Sequence, residues 1–128
     1  MWDIEHVWIG TTLKGAEEFS EYFKLDYAVP LDEPEYKVCG FCKAIGVKWY
    51  DEDFIGVVLK SSVCPIEQMI KEVLDNPISI QRALQYCKEH HIDSANAAFW
   101  YCEEKQGELT FNKEAIFNDC FYIGQYDF

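Results

Sequence analysis

The stretch from Pro65 to His91 constrains the fold more than any other. Pro65 suits the first position of a helix, where its missing N–H is not needed. Ile66, Met69, Ile70, Val73 and Leu74 then recur at helical spacing up to an Asn76-Pro77 stop. Ser79 stands as the cap of a second helix, with Ala83, Leu84 and Cys87 on its inner face, running to His90 or His91. Each helix carries an apolar stripe and needs a surface to bury it against. The flanking segments supply one. Glu5-His6-Val7-Trp8-Ile9-Gly10 has the β-branched and aromatic character of a short strand, closed by the glycine and Thr11-Thr12. Beyond Asp93, Ala97 to Cys102 reads as a strand and Glu103-Glu104-Lys105-Gln106-Gly107 as a turn. Glu108 to Phe111 reads as the hairpin partner, and Cys120 to Tyr126 as a last strand.

Between the first strand and the helical pair, Ala16 to Leu25 predicts an amphipathic helix with Glu17, Glu18 and Glu21 facing away from Phe19, Tyr22 and Phe23. Pro30, Pro34 and the acids Asp32, Glu33 and Glu35 mark an exposed irregular stretch from Asp26 to Lys37. A short helix through Cys39 to Ile45, ended by Gly46, is expected next, then an extended segment over Val47 to Tyr50. After the acidic cluster Asp51-Glu52-Asp53, Phe54 to Lys60 predicts a strand at the centre of the sheet. Strands at both ends with helices in the middle describe an α+β fold: a mostly antiparallel sheet with helices packed on it, as a single pair of layers. With 128 residues and no linker or repeat, the chain reads as one domain over residues 1–128.

Charge narrows the partners. There are 23 Asp and Glu against 11 Lys and Arg, a formal net charge of -12. That field repels phosphate backbones and anionic headgroups, which argues against nucleic acid and membranes. Its complement is a basic protein surface or a metal ion, with solubility alone as the plain alternative. Hydrophobic residues at 49% supply a core, so the acidity does not signal disorder. Met1-Trp2-Asp3-Ile4-Glu5 lacks the basic and apolar regions of a signal peptide, and no run reaches the roughly 18 to 20 apolar residues that cross a bilayer. A cytoplasmic location is expected, with Cys39, Cys42, Cys64, Cys87, Cys102 and Cys120 as reduced thiols, most of them core filler.

Candidate chemistry is sparse. Cys39-Gly40-Phe41-Cys42 has the spacing of thiol-disulfide oxidoreductases, but it follows a proline-punctuated acidic loop, and nearby acids raise a thiol pKa. A pair of structural cysteines is the other reading. The remaining cysteines stand alone, and His90-His91 are adjacent, so their rings diverge on a helix and no metal site is expected. His6, His90 and His91 sit in no nucleophile signature, and no phosphate-binding glycine pattern occurs; neither an enzyme nor a cofactor is called for. Asp51-Glu52-Asp53 is the most distinctive polar feature. Carboxylates one residue apart project to the same side of an extended segment, and Trp49, Tyr50 and Phe54 can anchor that segment while the acids face outward. Such an acidic knob suits Arg or Lys on a partner, and an ordinary solvated turn is the alternative.

His6-Val7-Trp8-Ile9-Gly10, then Glu18-Phe19 and Tyr22-Phe23, and above all the run from Phe41 to Gly46 through Trp49-Tyr50-Asp51-Glu52-Asp53-Phe54, resemble the immunity protein 22 family of bacterial polymorphic toxin systems. The likeness covers roughly the first half of the chain. It implies an α+β protein that protects a bacterium by binding and neutralising a cognate toxin. Carried over residue by residue, Trp8, Gly10 and Phe54 are framework, while Asp51, Glu52 and Asp53 reach the partner, beside Trp49 and Tyr50. The loop acids Asp32, Glu33 and Glu35 are a competing contact surface. The family pattern expects a further acid after Asp53-Phe54, where this chain has Ile55-Gly56, and the cysteine pair is not a family feature. The expected function is therefore non-enzymatic neutralisation of a toxin, such as a nuclease with a basic cleft, through an acidic surface. The alternatives are a thiol-disulfide oxidoreductase at Cys39 and Cys42, or an adaptor or regulatory domain with no toxin partner.

Overall fold

Trp8 is the centre from which the architecture is best followed. It lies midway along β1 (Ile4–Gly10), a strand whose residues from Glu5 onward are all buried. In the computed structural model, which describes residues 4–103 and 109–127, β1 is flanked by both of its sheet neighbours. The sheet has five antiparallel strands in the order β2-β3-β1-β5-β4: β2 (Ile55–Pro65), β3 (Ser94–Glu103), β4 (Ile116–Phe117) and β5 (Cys120–Asp127). Trp8 pairs with Phe99 of β3 on one side and Tyr122 of β5 on the other.

Alternation along β1 assigns its side chains to two cores. Trp8 enters an aromatic cluster with Phe19, Phe23, Phe41, Tyr50, Phe99, Phe117 and Tyr122, covered by α1 (Ala16–Glu21) and α2 (Gly40–Ile45). Its indole stacks on Phe99 with ring centroids 4.8 Å apart and meets Phe41 edge-on at 5.9 Å. Pairs of this kind are worth about 0.5–1.5 kcal/mol each beyond the area they bury. Val7 and Ile9 point the other way, into an aliphatic core with Met69, Ile70, Val73, Ala83 and Cys87 from α3 (Ile66–Val73) and α4 (Pro77–Glu89), and with Leu74 just past the end of α3. The α+β class and the antiparallel sheet are as expected. The layering is fuller than a single pair, because the strands are apolar on both faces and each face needs its own cover.

Local chemistry explains the helix boundaries. Asn76, not Ser79, caps α4: its Oδ1 accepts from the Ile78 and Ser79 N–H groups, with Pro77 at the first helical position. Ser79 is buried one turn in and donates its hydroxyl to the Asp127 carbonyl at 2.9 Å, tying the helix to the last strand. Pro65 is the cap residue of α3 as well as the last residue of β2. α1 is shorter than the expected Ala16 to Leu25, ending at Glu21, although Phe23 and Leu25 remain buried. α2 ends on Gly46 at φ 76°, a left-handed cap that favours glycine.

Two strand expectations are corrected. The Phe54–Lys60 strand begins at Ile55 and lies at the edge of the sheet, not its centre; β1 holds the centre because both of its faces are packed. Its register against β3 is regular from Ile55↔Tyr101 to Leu59↔Ala97 and breaks before Cys64↔Ala95. The turn expected after Glu103 falls at residues 104–108, outside the described residues. Of its hairpin partner, Leu109 to Phe111 form no strand, and the hairpin instead joins β4 to β5. There Asn118 and Asp119, at φ 52° and 67°, make the two-residue turn between Phe117 and Cys120.

Gly10 and Trp8 are framework, as the carried-over motif implies. A Cβ on Gly10 would stand 2.3 Å from the Asp119 carbonyl oxygen, so only glycine lets the β4–β5 turn close on β1. That junction is polar and fully engaged. Asn96 exchanges hydrogen bonds with the Thr12 backbone at 2.8 and 2.9 Å, and the Thr12 hydroxyl donates to Asp119 at 2.7 Å.

Candidate functional site

Asp51-Glu52-Asp53 does not lie on an extended segment. Glu52–Phe54 form a 3-10 turn capped by Asp51, whose Oδ1 accepts the Asp53 N–H at 3.0 Å, and the Asp51 carbonyl accepts from Phe54 at 3.0 Å. The short acid at the cap position competes for its own backbone, which closes the turn. Glu52 and Asp53 are exposed and Asp51 is partly so. No ion pair engages any of the three among the described residues. A 3-10 turn has three residues per turn, so the carboxylates fan out from a rigid base and do not share the single direction that an extended segment would have given Asp51 and Asp53.

Tyr50 provides that base. It is buried, meets Phe41 edge-on at 5.2 Å, and donates its hydroxyl to the Phe23 carbonyl. Tyr101 on β3 packs against Tyr50, and burial raises its phenol pKa, against the opposing effect of a hydrogen bond with the Asp51 backbone. Trp49 is different: it is 47% exposed and available to a partner. The two aromatics thus divide between anchor and surface. Phe54 is half-buried, and Gly56 lies under Trp100; a Cβ there would be 2.0 Å from the indole.

The second acidic segment is tied to the first. Asp26 clasps both ends of the irregular loop, accepting from the Ala28 N–H at 3.0 Å and the Lys37 N–H at 3.2 Å. Between them Asp32, Glu33 and Glu35 are exposed. Tyr36 then donates to the Lys48 carbonyl at 2.9 Å, fastening this loop to the segment that leads into the acidic turn. Motif spacing does not reveal this link, because it depends on one phenol reaching across a gap of unpatterned chain.

A groove between α1 and the β2 edge is likewise not legible in the sequence. It has a volume of about 590 Å³, with Phe23, Ile55 and Val57 along its floor and Glu17, Glu21 and Glu52 on its walls beside Lys24. Glu52 therefore belongs both to the acidic turn and to this groove. Helical spacing reveals the acidic face of α1 but not its position across from Glu52.

The cysteine pair is structural in its geometry. Cys39 caps α2, its Sγ accepting the Cys42 N–H at 3.3 Å, and both side chains are buried. Burial, reinforced by Cys39, pushes the Cys42 thiol up to about 12, against the thiolate that redox exchange needs. His6 sits in a buried chain between Tyr122 at 2.8 Å and Glu103 at 2.5 Å. His90 stacks on Tyr86 and bonds its carbonyl at the end of α4. Among the described residues no group of His, Cys, Asp and Glu could hold a metal ion, and no helix is long and apolar enough to cross a membrane.

No curated protein and no solved structure gives a significant match to the chain. The family model described as Immunity protein 22 matches residues 6–128, so the relationship extends through the second half of the chain, where no single motif reveals it. The chain belongs to the immunity protein 22 family, and toxin immunity is the general role that this membership gives it.

Proposed function

We propose that the chain neutralises a cognate bacterial toxin by binding it, with no chemistry of its own, through the acidic surface centred on Asp51, Glu52 and Asp53. One observation carries this reading: Glu52 and Asp53 stand exposed, and Asp51 partly so, on a turn fixed to the aromatic core, with no cation of the described chain paired to them. Preorganised charge lowers the cost of association. Trp49 adds an exposed aromatic at the edge of the surface, and the fastened loop bearing Asp32, Glu33 and Glu35 extends it; Tyr50 supports it from below. A toxin with a basic surface is the fitting partner, and the basic cleft of a nuclease is one such surface. Inhibition is then occlusion. The net charge of -12 argues against nucleic acid or an anionic membrane as the target, and a toxin made in the same cell would be met in the cytoplasm.

The test is capture of a partner from the native host lysate, with its association and dissociation then followed separately as salt is raised. Salt is expected to slow association more than it speeds dissociation. Reversing Asp51 and Asp53 to Lys should cost on the order of tenfold or more in affinity. Undiminished binding by that variant would place the contact elsewhere while leaving the immunity role intact.

A further inference from the structure

Of the two sheet edges, one is blunted and one is not. β4 consists of Ile116 and Phe117 alone, too short to template a further strand. β2 is long, and among the described residues only β3 pairs with it. From Ile55 to Leu59 it is regular and carries neither charge nor proline, the usual devices that keep an edge from pairing. The irregularity between Leu59 and Cys64 limits the free edge to that stretch.

The groove runs beside this same edge. Val57 pairs with Phe99, whose ring belongs to the aromatic core, so Ile55, Val57 and Leu59 face the α1 side; Val57 is 41% exposed there. A second hollow, lined by Leu59 and Val63 opposite Leu13 and Ala16, continues in the same direction.

We infer that the free edge of β2 over Ile55–Leu59 is the toxin's docking line, where an extended basic segment of the toxin adds as a further antiparallel or parallel strand. The inference rests on the immunity reading and specifies its contact. Backbone hydrogen bonds would hold the segment, and alternate side chains would project over the groove. An Arg or Lys there lays its apolar stem along Phe23 and Val57 and brings its charge to Glu17, Glu21 and Glu52. Charge also selects against the other strand donor at hand, a second copy of this chain: edge-to-edge pairing would bring two acidic rims together.

The experiment is amide hydrogen exchange on the full chain, alone and with either of two probes: the inactivated form of a toxin domain that the chain captures, and a short peptide alternating arginine with valine. Protection on the order of tenfold or more is expected at residues 55–59 with both. Val57→Lys, and separately Glu21→Lys on the exposed face of α1, should each weaken toxin binding by on the order of tenfold. Glu89→Lys on α4, across the sheet, makes the same charge change and should alter affinity by no more than about twofold. Glu21→Lys leaves the strand sequence intact, so a misfolded Val57→Lys would not spoil the test. Tight toxin binding with residues 55–59 unprotected and both variants unaffected overturns the docking line and leaves the immunity reading standing. Protection by the peptide without toxin binding supports the edge as a basic-strand site and overturns the toxin as its occupant. Failure of both probes overturns the inference as a whole.

Discussion

Glu5 offers a sharp test of how this sheet is held. It lies on the central strand opposite Cys102 and Tyr126, only 4% exposed, with Oε2 making no hydrogen bond among the described residues. Burial, and then the Asp75 carboxylate, raise its pKa from 4.5 to about 7. At about 1.4 kcal/mol for each tenfold change in proton affinity, that displacement corresponds to about 3 kcal/mol at most. The sign follows from which form is favoured. A carboxyl whose folded pKa exceeds its unfolded one stabilises the fold while protonated, so the contribution is complete below 4.5 and disappears as pH climbs through about 7. Glu5→Gln keeps the shape and cannot ionise. Urea unfolding followed by tryptophan fluorescence should find wild type and variant within about 1 kcal/mol near pH 4, and the variant more stable by about 2–3 kcal/mol near pH 8. Parallel pH profiles for the two proteins would refute the reasoning, since the carboxylate would then be solvated or paired in the folded state.

Further predictions concern single contacts. Phe99→Ala removes the stacking partner of Trp8 and should cost about 3–5 kcal/mol in denaturant unfolding. Asn96→Ala leaves the buried Thr12 backbone without partners and should cost about 1–3 kcal/mol, read from the thermal midpoint. Gly56→Ala forces Trp100 off its seat; a loss of about 1–3 kcal/mol with a red-shifted tryptophan emission is expected, and unchanged stability would contradict the close approach. Cys39 and Cys42 should react with a thiol reagent only at the rate of local opening, while Cys39→Ser, which retains a capping acceptor, should stay within about 1 kcal/mol of wild type.

Local chemistry makes much of the fold legible. The apolar stripe from Ile66 to Leu74 and the caps around it depend on neighbours in sequence, so α3 and α4 can be read from the residues alone. The same holds for β1, whose aromatic and β-branched run has little choice of conformation. Misplacement of β2 has a definite cause: Ile55 to Leu59 is as apolar as a central strand, because a helix and the Tyr50 base shelter part of it despite its free edge. Residue type does not report strand order. Ile116-Phe117 is too brief to stand out as a strand, although Asn118-Asp119 is a recognisable hairpin turn. Of the candidate site, the acids are evident from composition, but the 3-10 turn, the burial of Tyr50 and the Tyr36–Lys48 link arise from contacts between segments that no periodicity records.

The order of the strands also bears on when this protein can fold. β1, near the start of the chain, obtains one neighbour from β3 and the other from β5, with Ile4 opposite both Glu103 and Asp127. Loops that long must close before the pairing rewards them, and sheets of this kind fold in milliseconds to seconds, roughly. A ribosome that has not finished the β5 codons therefore holds a chain whose central strand lacks half of its partners. The central strand can be completed only once β5 has been made, so the fold forms after synthesis rather than during it.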